Sequence, residues 1–294
     1  MPVAAILALV AFAANSLLCR LALRSDDADP ITFTLVRLVA GAAMLWGLGL
    51  VRRWPAGGGS WWGGLWLAVY AVGFSWAYVR IDAGVGALLL FGCVQLTMLV
   101  AAVRAREAMP PVFWVGLGLA ALGVVWLVRP GASAVALAGA VPMALAGLAW
   151  GQYSLVGRGS TRAEADTRGN FWRAAVLAVP MLVLLTLGTA FTASSGTGQM
   201  MSVGFPVSTR GLVLAATSGA VTSGLGYVLW YAAVRHMTAS RAAALQLAVP
   251  VLTAVLAVPL LGERPTLRLA VATALVLGGI GLTIQRRAPN AGPR

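Results

Sequence analysis

The residues that decide the fold run from Ser218 to Glu263, SGAVTSGLGYVLWYAAVRHMTASRAAALQLAVPVLTAVLAVPLLGE. They form two apolar runs, each long enough to cross a bilayer, which takes about 20 mostly apolar residues in a helix. A short basic joint, Arg235 to Arg241, separates the runs. The stretch therefore predicts two membrane helices. It also holds the densest set of polar and aromatic residues in the apolar part of the chain, Tyr227, Trp230, Tyr231, Gln246 and Pro250.

The composition extends this interpretation to the whole chain. Of its 294 residues, 60% are hydrophobic and 10% are charged, whereas a soluble domain carries about 25% charged residues. So few charges cannot cover a surface in water, which predicts a protein that crosses the membrane several times. The net charge of +13 does not indicate nucleic-acid binding, because the arginines stand singly or in pairs at the ends of apolar runs. Cys19 and Cys93 both lie inside such runs, and we expect neither a disulfide nor a metal site.

Ten apolar runs are long enough to span a bilayer as helices. Turn residues separate them, such as Pro110-Pro111 and Arg129-Pro130-Gly131. The pattern predicts an all-α integral membrane protein with ten transmembrane helices. The runs are Val3–Leu23, Ile31–Val51, Trp61–Val79, Gly84–Val103, Val112–Val128, Val135–Val156, Phe171–Phe191, Gly211–Val234, Ala242–Leu261 and Thr266–Ile284.

The arginines predict the orientation, because cytoplasmic joints of membrane proteins carry the excess of basic residues. We place the N-terminus in the cytoplasm and leave out Arg37, which lies within the second run. Thirteen arginines then fall on the cytoplasmic side: Arg52, Arg53, Arg104, Arg106, Arg158, Arg162, Arg168, Arg173, Arg235, Arg241, Arg286, Arg287 and Arg294. Seven fall outside: Arg20, Arg24, Arg80, Arg129, Arg210, Arg264 and Arg268. The difference predicts that both termini are cytoplasmic.

A weak internal repeat divides the chain into two halves. Arg20 matches Arg158 at an offset of 138 residues, and Glu107 matches Glu263 at an offset of 156. Runs one to five thus correspond to runs six to ten, and because five is odd, the second copy is inverted. Inverted repeats that meet near the midplane of the bilayer are typical of secondary transporters. Chance similarity among runs of Ala, Leu and Gly is the alternative interpretation.

Polar groups inside apolar runs indicate where function lies, because they are costly in hydrocarbon unless they face a partner or water. Arg37 either faces the interior or extends to a membrane interface. Gln246 precedes Pro250 by four residues, and a proline there frees a backbone carbonyl near the glutamine. This arrangement predicts either a substrate-binding turn or a hydrogen bond between helices.

Aromatic residues also allow two interpretations, as anchors at the membrane interface or as walls of a ligand pocket. Tyr227 and Tyr231 are four residues apart and share a helix face. Small residues, by contrast, predict close helix packing. They occur as the GxxxG spacing of Gly147 and Gly151, and as the Ser-Gly pairs of run eight.

The positions of the acidic residues and the lack of catalytic or channel motifs argue against several functions. No Asp or Glu lies at the middle of a run, so the chain lacks an evident proton relay. Glu107 and Glu263 adjoin Arg106 and Arg264, which predicts ion pairs at helix ends. The chain has no paired carboxylates, no His/Cys cluster and no phosphate loop, so an enzyme is not indicated and we expect no cofactor or metal. A channel would need a ring of charges or a carbonyl filter, and the sequence indicates neither.

Several segments together carry a resemblance to a known family: Asn15 to Arg20, Asp29-Pro30 with Arg37, Ala149 to Ser154, Gly226 to Tyr231, Gln246 to Pro250 and Leu261-Gly262-Glu263. On these segments, nearly the whole chain resembles the drug/metabolite transporter (DMT) superfamily, in particular its EamA-type ten-helix members. The segments after Gly226 are the most specific. Helix four departs from the family pattern, because Val94 and Arg106 stand where a proline and a Gly-Glu ending are often found. The resemblance implies an inner-membrane exporter of amino acids or other metabolites, with a central cavity between the halves.

We therefore expect a first EamA-type repeat at residues 1–130 with helices one to five, and a second at 131–288 with helices six to ten. A disordered cytoplasmic tail is expected at 289–294. The expected function is secondary transport in the inner membrane, as export of a small metabolite such as an amino acid by alternating access. The alternatives are export of lipophilic cations and a membrane protein that does not transport.

The expected partners are a small-molecule substrate and the lipid bilayer, with no nucleic acid, and the oligomeric state is left open. Arg37 is expected to attract an anionic group such as a carboxylate, while Trp230 and Tyr231 are expected to stack on an apolar or aromatic side chain. The predicted cavity wall comprises Asn15, Arg37, Trp76, Gln95, Trp150, Gln152, Tyr153, Tyr227, Trp230, Tyr231 and Gln246.

Overall fold

In the described part of the chain, ten helices follow one another in the order that the apolar runs predict. The computed structural model describes residues 2–55, 57–104, 111–128, 134–157, 160–194, 207–234, 245–246 and 248–284. The helices are α1 (Pro2–Arg24), α2 (Pro30–Val51), α3 (Trp61–Tyr78), α4 (Ala83–Arg104), α5 (Pro111–Val128), α6 (Ala134–Gly157), α7 (Ala163–Ser194), α8 in three continuous segments (Thr209–Thr217, Ser218–Leu225, Gly226–Val234), α9 (Ala248–Leu261) and α10 (Leu267–Ile284). The predicted start of the ninth run, Ala242, and the predicted tail lie outside the described residues.

The surface of the helix bundle is apolar, as contact with lipid requires. Leu50, Val51, Leu184 and Leu267 are among the large apolar side chains that lie exposed. Within the described residues, α1, α2, α4, α7 and α8 are long and apolar enough to cross a membrane, and α5, α9 and α10 hold shorter apolar stretches. The prediction of an all-α protein that crosses the membrane several times is confirmed.

The two ends of the bundle are defined by the turns that meet there. Arg24 donates to the carbonyl of Leu261, so the end of α1 meets the end of α9. Glu263, in the α9–α10 turn, accepts from the backbone N–H of Ala83 at the start of α4. We call this the outer end, after the orientation that the arginines predict. The α2–α3 turn and the start of α7 lie at the opposite, inner end.

Polar side chains begin the helices at turns that the sequence marks. Asp29 accepts from the backbone N–H groups of Ile31 and Thr32 at the start of α2, where Pro30 is the first helical residue. Ser60 caps α3, and Ser208 caps α8, each through the N–H three residues later. These caps pair N–H groups that the first turn of a helix leaves unsatisfied, so they fix where each helix starts.

Helix α7 begins at Ala163, eight residues before the predicted start at Phe171, so that boundary was wrong. The polar first turns are helical because Asp166 and Asn170 bind the glycine-rich α2–α3 turn. Asp166 Oδ1 accepts from Gly59 N at 2.8 Å, and Asn170 Oδ1 accepts from Ser60 N at 2.8 Å. Asp166 also lies in the first turn of α7, where a carboxylate is favoured by the helix dipole.

Close packing at the predicted GxxxG spacing is confirmed. A Cβ atom placed on Gly147 would lie 2.6 Å from both the Cβ of Cys93 and the carbonyl oxygen of Leu90 on α4. A Cβ on Gly151 would lie 2.7 Å from the Cβ of Thr97. Because glycine has no Cβ, α6 and α4 approach at backbone distance along this face.

The middle segment of α8, Ser218–Leu225, is a π-helix, which the sequence did not predict. It crosses α2 closely: a Cβ on Gly219 would lie 2.1 Å from the carbonyl oxygen of Arg37. A Cβ on Gly41 of α2 would likewise lie 3.0 Å from the carbonyl oxygen of Gly219. Short π-helical segments occur frequently at functional sites, and this one is pressed against the turn of α2 that carries Arg37.

We expect Gly219→Ala to destabilise the protein by about 1–3 kcal/mol, because the added methyl group forces α2 and α8 apart. The measurement is the thermal unfolding midpoint of the purified protein in detergent. Gly47→Ala is the matched control on α2, because nothing lies within 4 Å of the added Cβ. Equal midpoints for the two variants would contradict the backbone contact between Gly219 and Arg37.

Candidate functional site

A small cavity lies at the centre of the bundle, between α1, α3, α4, α6 and α8. Its lining is formed by Phe12, Asn15, Ser16, Tyr70, Phe74, Leu90, Phe91, Trp150, Thr222 and Tyr227. The open space is about 10 Å³, roughly the space for one water molecule. The side chains therefore close the cavity in this conformation, and a molecule larger than water would fit only after they separate.

Arg37 lies beside this cavity and is 2% exposed, so it faces the protein interior and not an interface. Its Nη2 donates to Tyr70 Oη at 2.9 Å, and its Nε donates to Ser223 Oγ at 3.2 Å. The guanidinium also lies over the rings of Tyr70 and Phe74, 5.1 and 4.8 Å from their centroids. Among the described residues, Nη1 has no hydrogen-bond partner and no carboxylate pairs with the guanidinium.

Asn15 connects α1, α3 and α8 through its side-chain amide. The Nδ2 atom donates to Tyr70 Oη at 3.3 Å. Its Oδ1 atom accepts from Ser218 Oγ at 2.7 Å, and lies 3.3 and 3.5 Å from the donors Thr222 Oγ1 and Ser223 Oγ. Because Tyr70 and Ser223 also bind Arg37, one hydrogen-bonded network reaches from Asn15 to the arginine.

Aromatic rings form the rest of the site, and we call Phe12, Tyr70, Trp150 and Tyr227 the aromatic wall. The Trp150 ring lies 4.9 Å from Tyr70 and 4.8 Å from Tyr227, measured between centroids. Phe12 contacts Trp150 and Tyr227 edge to face, at 6.0 and 5.8 Å. The Trp150 Nε1 donor is buried and has no partner among the described residues, so the wall offers an apolar surface with an available N–H group.

Of the eleven predicted site residues, the structure brings six together around the cavity. Tyr153 packs on Trp150 with centroids 5.6 Å apart, and Trp230 contacts Phe12 at 5.8 Å. With the arginine network and the aromatic wall, the six are Asn15, Arg37, Trp150, Tyr153, Tyr227 and Trp230.

Two predicted residues point away from the cavity. Trp76 and Gln152 are half-buried and do not line it. Each lies two residues after a lining residue, Phe74 and Trp150 respectively, and two residues rotate a helix position by about 200°. The face of each helix that lines the cavity is therefore roughly opposite to these two residues.

The other three predicted residues are set away from the cavity lining. Tyr231 lies one turn beyond Tyr227 and packs against α6, where a Cβ on Gly157 would be 2.8 Å from its Oη. Gln95 and Gln246 are buried, at 1% and 4% exposure, and neither lines the cavity. Gln246 Oε1 has no partner among the described residues, so its role as a binding residue stays a prediction.

The sequence analysis missed Tyr70, which connects Arg37 with Asn15. It is the only tyrosine near the middle of α3, but the sequence analysis selected Trp76 from this helix instead. The hydroxyls of Ser218, Thr222 and Ser223 were also missed, because the Ser-Gly pairs were interpreted as a packing face. In the structure both functions coexist, since the glycines contact α2 while the hydroxyls bind Asn15 and Arg37.

Comparison with known proteins identifies the class of this bundle. The model of the EamA-like transporter family matches residues 2–129 and again residues 137–285. The chain belongs to the EamA-like transporter family. The two matches correspond to helices α1–α5 and α6–α10, and the predicted EamA-type membership in the drug/metabolite transporter superfamily is confirmed. The cavity of the chain lies where the two matched repeats meet.

Known proteins resemble this chain over nearly its full length. The uncharacterized protein PA1977 of Pseudomonas aeruginosa is 46% identical over 288 residues, which cover 97% of this chain and 95% of that protein. One crystal structure of a protein is 21% identical, has a TM-score of 0.64, and matches 98% of this chain and 99% of its own. The crystal structure supports the fold, and neither name states a substrate.

We expect Tyr70→Phe to destabilise the protein by about 1–3 kcal/mol, because the buried Arg37 loses a hydrogen-bond acceptor. Tyr227→Phe is the matched control, since the Tyr227 hydroxyl has no partner among the described residues. Thermal unfolding in detergent measures both. If removal of the Tyr227 hydroxyl costs as much as removal of the Tyr70 hydroxyl, the assigned hydrogen-bond network is wrong.

Proposed function

We propose that the protein is a secondary transporter that exports a small metabolite with a carboxylate group, such as an amino acid, by alternating access through the central cavity. The observation that carries the proposal is the buried Arg37 guanidinium. It has an open donor at Nη1 and no carboxylate partner among the described residues. An arginine so far from water is expensive to maintain, and such residues inside membranes mark substrate paths.

The geometry of Arg37 suits an anionic group of a substrate. Nη2 and Nε are occupied by Tyr70 and Ser223, which fix the plane of the guanidinium. Nη1 remains available, and a carboxylate bound there would form a charge-assisted hydrogen bond and supply the missing negative charge. This pairing would compensate part of the cost of desolvating both charges, which favours anions over neutral molecules.

The aromatic wall suits the apolar part of the same substrate. Trp150 and Tyr227 pack at 4.8 Å between centroids and meet Phe12 edge to face. Flat aromatic surfaces bury large apolar area and offer directional contacts. A molecule with a carboxylate near Arg37 would place an apolar side chain against this wall, a few ångströms away.

The closed cavity supports alternating access. Its space of about 10 Å³ does not admit a metabolite, so substrate binding requires the lining helices to separate. The two five-helix repeats contribute different sides of the lining: Asn15 and Tyr70 come from the first repeat, and Trp150 and Tyr227 from the second. Movement of one repeat against the other would open the cavity to one side of the membrane at a time.

The export direction and the location in the inner membrane with cytoplasmic termini belong to the same proposal. The excess of arginines in the predicted cytoplasmic joints supports this orientation. We expect a C-terminal green fluorescent protein fusion to fluoresce in bacteria and a C-terminal alkaline phosphatase fusion to be inactive. The opposite pair of results would contradict the proposed orientation.

Export of lipophilic cations is the second candidate, because the aromatic wall alone would attract a cation through cation–π contacts. The positive charge of Arg37 within the same site opposes this. None of the residues that line the described cavity is acidic, so we favour the carboxylate.

The test is substrate counterflow in proteoliposomes, with labelled amino acids and one lipophilic cation as separate substrates. We expect uptake of one or more amino acids, and we expect Arg37→Gln to lower it about tenfold or more, as loss of a charge-assisted hydrogen bond implies. Arg210→Gln is the matched control, because Arg210 is exposed and pairs with Asp27 far from the cavity. Gln246→Ala tests the predicted role of that residue in the same assay.

Uptake of the cation alone would replace the proposal with the second candidate. Arg37→Lys keeps the charge, and its uptake shows whether the charge itself is what the substrate requires. Thermal unfolding in detergent shows whether an inactive Arg37→Gln variant has failed to fold. Uptake that is unaffected in a folded Arg37→Gln variant would contradict the role of Arg37.

A further inference from the structure

Glu263 occupies an unusual position at the outer end of the bundle. It lies in the α9–α10 turn, yet its carboxylate binds the first residues of α4. Oε1 accepts from Ala83 N at 2.7 Å, and Oε2 lies 3.3 Å from the donor Gly84 N. These N–H groups lie in the first turn of α4, where a negative charge is favoured. One residue of the second repeat thereby caps a helix of the first.

The same carboxylate meets Arg20 of α1, whose Nε lies 3.6 Å from Glu263 Oε1. Arg20 also donates from Nη1 to the carbonyl of Tyr78 at 2.8 Å, and from Nη2 to Asp82 at 3.1 Å. Arg20 and Glu263 thus hold together the ends of α1, α3 and α9 and the start of α4. The sequence predicted that Glu263 would pair with Arg264, and that prediction was wrong, because the described ion pair is with Arg20. The repeat partner Glu107 lies outside the described residues.

This cluster lies directly outside the cavity. On α1, Arg20 follows Asn15 by five residues, about 8 Å along the helix axis. On α3, Tyr70 binds Arg37, Phe74 lines the cavity, and Tyr78 lies between the cavity and the ion pair. The rings of Phe74 and Tyr78 meet edge to face at 4.7 Å, and Tyr78 is fully buried. A path from the cavity to the outer end therefore passes Tyr78 and then the Arg20–Glu263 pair.

We infer that Glu263, with Arg20 and the first turn of α4, forms the outer gate of the transport path. While the carboxylate binds the α4 amides and Arg20, the outer ends of the two repeats are held together and Tyr78 is held in the path. Opening to the outside requires these bonds to break, with water taking their place. The inference rests on the proposed function for what passes the gate, but the contacts and their release are independent of the substrate.

Glu263, rather than Asp82, is the residue that holds the gate. The Glu263 side chain is 8% exposed, whereas the Asp82 side chain is 54% exposed. An exposed ion pair contributes little, because water screens it. Removing a buried partner costs more, since it leaves two helix N–H groups and part of a guanidinium without an acceptor.

The native Cys19 reports on the gate. It precedes Arg20 on α1, has no exposed surface, and its thiol lies against Ser75 of α3. Opening between α1, α3 and α4 would expose it to water. In a Cys93→Ser background Cys19 is the sole thiol of the chain, and its reaction with a small maleimide can be followed by mass spectrometry on the intact protein. Lipid nanodiscs leave both faces of the membrane accessible to the reagent.

We expect Glu263→Ala to raise the labelling rate of Cys19 about tenfold or more, because the closed gate loses one or two charge-assisted hydrogen bonds. Asp82→Ala is the matched control, because it removes a carboxylate that binds the same Arg20 without touching the α4 amides, and we expect less than about a threefold change. Glu263→Gln, which keeps one acceptor oxygen, is expected to lie between, and it serves as the test if Glu263→Ala does not fold.

Any one of three results would overturn the inference. They are an unchanged labelling rate of Cys19 in folded Glu263 variants, an equal rise of that rate in Asp82→Ala, and no labelling of Cys19 in any variant. The labelling uses no substrate, so failure of counterflow in the preceding assay would remove the proposed cargo and leave the gate in place. Conversely, counterflow with unchanged labelling would remove the gate and leave the transporter.

Discussion

The burial of one positive charge constrains the centre of this protein. Arg37 lies in a bundle whose surroundings are lipid and aromatic rings, and a charge there must be solvated by the protein itself. Tyr70, Ser223 and the two ring faces supply that solvation with dipoles and π-electrons, without a described carboxylate. The network that holds the guanidinium joins α2 to α3 and α8, and through Asn15 it also includes α1.

Such a network needs helices at unusually short distances, and glycine provides them. The absence of a Cβ at Gly219 and Gly41 lets α8 press against the turn of α2 that carries Arg37. The π-helical turn at the same place adds a residue to the turn, which brings Ser218, Thr222 and Ser223 together on the side of Asn15. Packing and hydrogen bonding thus depend on the same few residues, and neither interpretation of the Ser-Gly pairs was complete alone.

The two repeats contact each other at two levels of the bundle, the centre and the outer end. At the centre, apolar and hydrogen-bonded surfaces from both repeats meet around a cavity that holds about one water molecule. At the outer end, Arg20 of α1 and the first backbone N–H groups of α4 bind Glu263 of the α9–α10 turn and so connect the repeats over a small area. These bonds are buried in this conformation, but they lie at the end of the bundle, where water can replace them once they break. In the proposed transport cycle the outer contacts break and re-form, while the helices around the centre move apart.

The sequence by itself determined the membrane class, the ten helices and their order, because run length and apolar content are local properties that lipid selects directly. It also indicated Arg37 and the aromatic residues of α6 and α8, since polar and aromatic groups are rare in such runs. Only the tertiary structure decided which face of each helix meets the cavity, so that Phe74 and Trp150 line it while Trp76 and Gln152 do not. It likewise selected Arg20 over the adjacent Arg264 as the partner of Glu263. Rotation about a helix axis and contacts between distant turns depend on how all the helices pack together, and no single run encodes that packing.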